Sequence, residues 1–197
     1  MEKPVYHHGD LRAALLDAAE AELLADPRCT LSVRALAAEI GVSATAPHAH
    51  FKTKADLLAA LAVRGFERLR DETIARSART SGVEQRFAAL AEAYLRFSEA
   101  YPGLYRIMFL IGADFNAYPE LRRASLASFH VLEDAIREYE LAAPQDDALD
   151  LAFAAWALVH GMASLLSDDR VTPEVARSQE VPDLARIAAR LITSRHR

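Results

Sequence analysis

The sequence predicts an all-α fold of about nine helices, and three observations carry that expectation. Alanine and leucine dominate a chain of 197 residues that is 52% hydrophobic with only 7 glycines, a composition that favours helix over strand. Apolar residues recur at spacings of three and four along most of the chain, as on a helix with one buried face, and no useful length alternates as a strand would. Cap and breaker residues (Asp, Ser, Thr, Gly and Pro) punctuate the periodic segments. The length suits one large domain or a small one joined to a larger one, with a substantial core.

Taken in order, residues 1–9 form an arm holding Lys3, His7 and His8. No Cys or carboxylate stands at ligand spacing from the two histidines, so no metal site is expected there. Asp10 caps a first helix to about Leu24, with Leu11, Leu15, Ala18, Ala19 and Leu23 as its apolar stripe. Asp26 and Pro27 end it, and Thr30 or Ser32 opens the second helix. In that helix Leu36, Ala37 and Ile40 face inward, and Gly41 stands where it must stop. Val42 plugs the turn, and Ser43 is expected to cap a third helix to about His50. Pro47 is tolerable in its first turn, where amides are free in any case. Two short helices about a glycine turn, over residues 32–51, make a helix-turn-helix, whose second helix can enter a DNA major groove.

Thr53 and Asp56 form a capping box, with Asp in place of Glu or Gln, for a fourth helix that runs through Leu57, Leu58, Leu61, Phe66 and Leu69 to about Arg79. Lys52 and Lys54 flank its start, so free amides and lysines can hold a phosphate together. Ser77–Gly82 is a boundary. Five further helices are predicted over Glu84–Ala100, from Pro102, from Pro119 to Tyr139, from Asp146 or Asp147 to Leu166, and over Asp183–Ser194, with a turn opening at Ala142.

Charge and cysteine usage narrow the function classes. The net charge of −5 argues against a protein that coats nucleic acid unselectively. Residues 41–80 nonetheless hold seven Lys or Arg against four acids, or +3, while the chain beyond residue 80 holds twelve Arg against seventeen acids, or −5. Cys29 is the only cysteine, which points to a reducing cytoplasm and to no internal disulfide. No apolar run reaches the ~18 residues needed to span a bilayer, so no membrane partner is expected. No Ser/His/Asp set, metal-ligand spacing or Gly-rich phosphate loop appears, so neither catalysis nor a cofactor is expected.

Residues 10–66 resemble the DNA-binding domain of the tetracycline-repressor (TetR) family of bacterial regulators, through LRAALLDAA, LSVRALAAEIGVSATAPHAHF and KTKADLL. PGLYRIMF and WALVHGMASLL resemble the subgroup whose effector domain carries a Trp-His-Gly signature, here Trp156, His160 and Gly161. One departure is that His48 stands where the family usually has a tyrosine. The resemblance implies a DNA-binding domain over residues 8–68 and an effector-binding and dimerisation domain over 69–197. It also implies operator DNA, a second copy of the chain and a small-molecule effector as partners.

The expected DNA contacts are Arg34, Ser43, Ala44, Thr45, Pro47, His48, His50, Lys52 and Lys54. Thr45 and Ala44 suit base edges and thymine methyls, and Arg34 and Lys54 suit phosphates. The expected effector pocket holds Phe97, Tyr105, Met108, Phe109, Phe129, Trp156 and His160. The last two are four apart on one helix face. The expected dimer surface uses Ala148, Ala152, Ala155, Val159 and Met162, whose small groups admit a close helix, with Leu184, Ile187 and Leu191 of the last helix. Packing within one protomer would explain the same alanine stripe. The leading expectation is a repressor released by its effector. The competing ones are an activator, a ligand-independent regulator and a helical protein-interaction adaptor.

Overall fold

The computed structural model describes residues 11–110, 116–139, 145–167 and 180–193. Among them lie eight α-helices, one 3-10 turn and no strand. The helices are α1 (Leu11–Ala25), α2 (Val33–Glu39), α3 (Lys54–Ser77), α4 (Val83–Ala100), α5 (Pro102–Leu110), α6 (Pro119–Tyr139), α7 (Gln145–Ser167) and α8 (Val181–Thr193); the 3-10 turn is Ala46–Ala49. The expectations for Lys3, His7, His8 and the Asp10 cap, and for the turn opening at Ala142, lie outside the described residues.

The chain folds as two units that are not consecutive in sequence. The first holds the residues up to Gly65 together with Tyr101–Arg122, and the second holds Phe66–Ala100 and the residues from Arg123 onward. The boundary inside α3 precedes the one read from Ser77–Gly82, and α5 joins the first unit although it follows α4.

In the first unit α1 packs against α2, α5 and the 3-10 turn. Leu15, Leu16, Leu23, Leu36, Ala37, Phe51, Leu57 and Leu61 are buried. Arg64 of α3 pairs with Asp17 at 2.5 Å and Glu20 at 3.1 Å on α1. Two glycines admit α5 closely. A Cβ at Gly103 would lie 2.9 Å from the Leu23 carbonyl oxygen, and one at Gly65 would lie 2.5 Å from Met108 Sδ.

In the second unit α4 packs along α8 and α7, and α7 along α8. Phe87 and Leu90 of α4, Ile136 of α6, Ala148, Leu151, Ala152 and Ala155 of α7, and Ala189 and Ile192 of α8 share one buried core. Alanine at so many facing positions leaves little side chain between backbones, so the helices approach closely.

This packing corrects the dimer reading. Ala148, Ala152, Ala155 and Val159 are buried inside the protomer and cannot form an external surface. Small residues mark where a helix is approached closely; they do not specify whether the neighbour is in the same chain. Met162 and Leu184 are half-buried. The exposed large apolar side chains of these two helices are instead Leu149 (49%), Phe153 (60%), Leu165 (51%), Ile187 (37%) and Leu191 (56%).

The membrane reading is also qualified. Ala148–Ser167 is long and apolar enough, by length and composition, to cross a bilayer, with a mean hydropathy of 1.6. Interspersed polar residues such as Asp150, His160 and Ser164 break it into shorter apolar runs. One side of this helix is core, so a bilayer is not needed to account for its composition.

Candidate functional site

The helix-turn-helix is assembled by local chemistry. Ser32 caps α2, its Oγ accepting from the Ala35 amide at 3.4 Å. At the other end Gly41 takes φ +80°, which glycine adopts without Cβ strain. The Gly41 amide then donates to the Ala38 carbonyl at 3.2 Å and the Val42 amide to the Ala37 carbonyl at 2.9 Å, so the last carbonyls of α2 are satisfied.

The third helix differs from its expected form. Only Ala46–Ala49 is helical, and the winding is 3-10. Pro47 has no amide to give the Ser43 carbonyl four residues back, and that carbonyl accepts from the Ala46 amide at 3.1 Å instead. The Ser43 hydroxyl is not a cap: it shares a hydrogen bond of 3.2 Å with the Thr45 hydroxyl. Pro47, expected among the DNA contacts, is fully buried. Its ring belongs to the packing of the turn on α1 and α2, because an apolar ring without an amide gains by leaving water there.

The other expected contacts, Arg34, Ser43, Ala44, Thr45, His48, His50, Lys52 and Lys54, are all exposed. The last two frame the start of α3. There the Asp56 amide donates to Thr53 Oγ1 at 3.2 Å, and the Thr53 amide donates to Asp56 Oδ2 at 2.8 Å. This is the predicted capping box, closed in both directions. Asp56 Oδ1 also accepts from the Tyr118 hydroxyl at 3.0 Å. The Thr53 amide first, and Tyr118 with it, hold the Asp56 carboxyl below its ordinary pKa, so it is a stable anion. Tyr118 was not among the expected residues, and 62 positions separate it from Asp56, beyond any local sequence signal.

The expected effector residues fall in both units. Tyr105 and Met108 are buried in the first, and Tyr105 packs on Phe109 with ring centroids 5.0 Å apart. Phe97, Phe129, Trp156 and His160 belong to the second. Phe97 is fully buried. Trp156 lies 5.3 Å from the His160 ring, 6.3 Å from Phe129 edge-on and 5.9 Å from Phe153. Tyr94 of α4 completes the cluster: its hydroxyl and His160 Nδ1 share a hydrogen bond of 2.8 Å. Burial pushes the His160 pKa down, which favours the neutral ring. Tyr94 and Phe153 were missed because each reads as an ordinary apolar helix position. A groove of about 690 Å³ elsewhere in the second unit is lined by Arg76, Arg79, Arg96 and Arg186 with Glu72 and Glu92, and by none of the expected effector residues.

A helix-turn-helix with an exposed polar turn and a basic, capped helix start, followed by a larger helical unit, defines a DNA-binding transcriptional regulator. Comparison with known proteins agrees. Residues 15–61 match the family described as bacterial regulatory proteins, tetR family, and residues 87–193 match the tetracyclin repressor-like C-terminal domain. The chain therefore belongs to the TetR family of bacterial regulators. A solved structure of a protein of unknown function from Rhodococcus sp. RHA1 is 34% identical over 97% of each chain, with a TM-score of 0.80. The TetR family transcriptional regulator PfmR from Thermus thermophilus shares the fold at 19% identity over 91% of this chain and 97% of its own, with a TM-score of 0.63. So does the fatty acid degradation regulator FadR from Bacillus halodurans, at 13% identity over 91% of this chain and 96% of its own, with a TM-score of 0.68. No curated protein matches the sequence.

Proposed function

We propose that the protein is a homodimeric repressor that leaves its operator when a small molecule binds the second unit. The observation that carries the DNA step is the exposure of Ser43, Ala44, Thr45, His48 and His50, on either side of the buried Pro47, together with the capped, lysine-flanked start of α3. Lys54 and the free amides of the first α3 turn hold a phosphate, and Arg34 a second, which sets the register. Ser43, Ala44, Thr45 and His48 then face base edges. A single 3-10 turn offers few such contacts, so DNA shape and a second copy supply the remaining specificity.

Leu149, Phe153, Leu165, Ile187 and Leu191 support dimerisation, being large apolar side chains exposed on α7 and α8. For the effector, Trp156, Phe129 and Phe153 offer ring faces and edges, and the Tyr94–His160 pair offers one hydrogen-bonding point. That combination suits a flat apolar molecule with a single polar group. Such a ligand displaces the repressor only by preferring the DNA-free arrangement.

The test is titration of the purified protein onto DNA from upstream of its own gene. Saturable binding that resists unrelated competitor DNA, with two protomers per site, is the expected result. Binding that competitor removes equally well would overturn the proposal.

A further inference from the structure

We propose that Tyr118 is a positioning residue for DNA binding: acting through Asp56, it fixes the helix start on which Lys54 and the free amides of α3 converge. The inference rests on the DNA-binding reading above and extends it to a residue outside the helix-turn-helix.

Tyr118 is shared by two helix starts of the first unit. Its carbonyl accepts the Arg122 amide at 3.1 Å, the first turn of α6, and its hydroxyl donates to Asp56 in the first turn of α3. Asp56 needs such a partner. An aspartate in a capping box is one methylene shorter than the usual glutamate, so it reaches the Thr53 amide from a narrower range of side-chain angles. With Oδ2 on the Thr53 amide and Oδ1 on Tyr118, both carboxylate oxygens are held, and Tyr118 is the partner that comes from outside the Lys52–Asp56 segment. Losing the hydroxyl takes the tyrosine donor from Oδ1 and leaves the carboxylate to the Thr53 hydroxyl and to the Thr53 and Lys52 amides alone, a looser hold. The capping box then closes less tightly, the first turn of α3 loosens, and a less firmly held negative charge stands beside Lys52 and Lys54 where a phosphate must approach. Each consequence weakens phosphate binding without removing a phosphate ligand.

The test uses the full chain and a duplex of about 30 base pairs selected from a random pool by the wild-type protein. Tyr118→Phe removes only the hydroxyl. The expected result is a roughly 3- to 10-fold rise in Kd, with the salt dependence of binding unchanged because the number of neutralised phosphates is the same. Adding Asp56→Glu to Tyr118→Phe should restore affinity, since glutamate closes the box without the tyrosine. Affinity within about twofold of wild type for Tyr118→Phe would overturn the inference. So would a fall of about one unit in the salt slope, which makes Tyr118 itself a phosphate ligand. Failure of Asp56→Glu to rescue would also overturn it. If the wild-type protein selects no duplex at all, the DNA-binding reading falls, and this inference with it.

Discussion

Arg106 of α5 donates to the Cys29 carbonyl at 3.1 Å and, through its Nε, to the Pro27 carbonyl at the same distance. A helix from beyond α4 thereby holds the loop between α1 and α2. The carbonyls have no strand or helix partner of their own there, so the guanidinium satisfies groups that would otherwise be left wanting.

Arg106→Ala should therefore destabilise the first unit by about 1–3 kcal/mol, the range for losing charged donors to half-buried carbonyls. Gly103→Ala should cost a similar ~1–3 kcal/mol, because the added methyl meets the Leu23 backbone rather than a movable side-chain tip. Denaturant unfolding of each variant checks both. A fragment ending at residue 68 lacks α5 and should show little cooperative unfolding by circular dichroism.

Lys54→Ala should weaken DNA binding by similar factors for all sequences and flatten the salt dependence by about one unit of slope. Kd measured at several salt concentrations decides this. It also separates Lys54, proposed as a direct ligand, from Tyr118, which is expected to leave the slope alone.

His160 links the second unit to pH. Its folded-state pKa is lowered by burial, so folding favours the neutral ring. The stabilisation from keeping it neutral is present above the unfolded pKa of about 6.5 and is lost as pH falls through the folded value. The wild-type melting temperature should accordingly fall from pH 7 towards pH 5 more steeply than that of His160→Asn. Parallel curves would show that His160 titrates alike in both states.

Phe153→Asp and Leu191→Glu each place a charge on the exposed apolar face of α7 and α8. Each should cost the dimer about 2 kcal/mol or more, roughly a 30-fold weaker association, while the protomer stays folded. Sedimentation at micromolar protein measures the shift, and DNA affinity should fall with it. Dimers of unchanged strength would place the interface elsewhere.

Much of the DNA-reading half was legible in the chain. Ser32, Gly41, Thr53 and Asp56 act on amides and carbonyls within a few residues of themselves, so their roles follow from spacing alone. Pro47 was legible in kind, but the winding it imposes was not, because two helical geometries compete within one turn. In the second unit Trp156 and His160 share a face by helical period, whereas Tyr94 meets His160 across 66 positions. No periodicity announces such a pair.

The sequence by itself determined every helix but the third, the Ser32 cap and the Thr53–Asp56 box, the glycine turn and the family, since these depend on neighbours along the chain. The tertiary structure decided which unit α5 joins and which face of α7 is core. It also brought Tyr118 to Asp56. Those outcomes depend on which surfaces meet, and an alanine stripe or an aromatic at helical spacing suits a partner in the same chain as well as one in another.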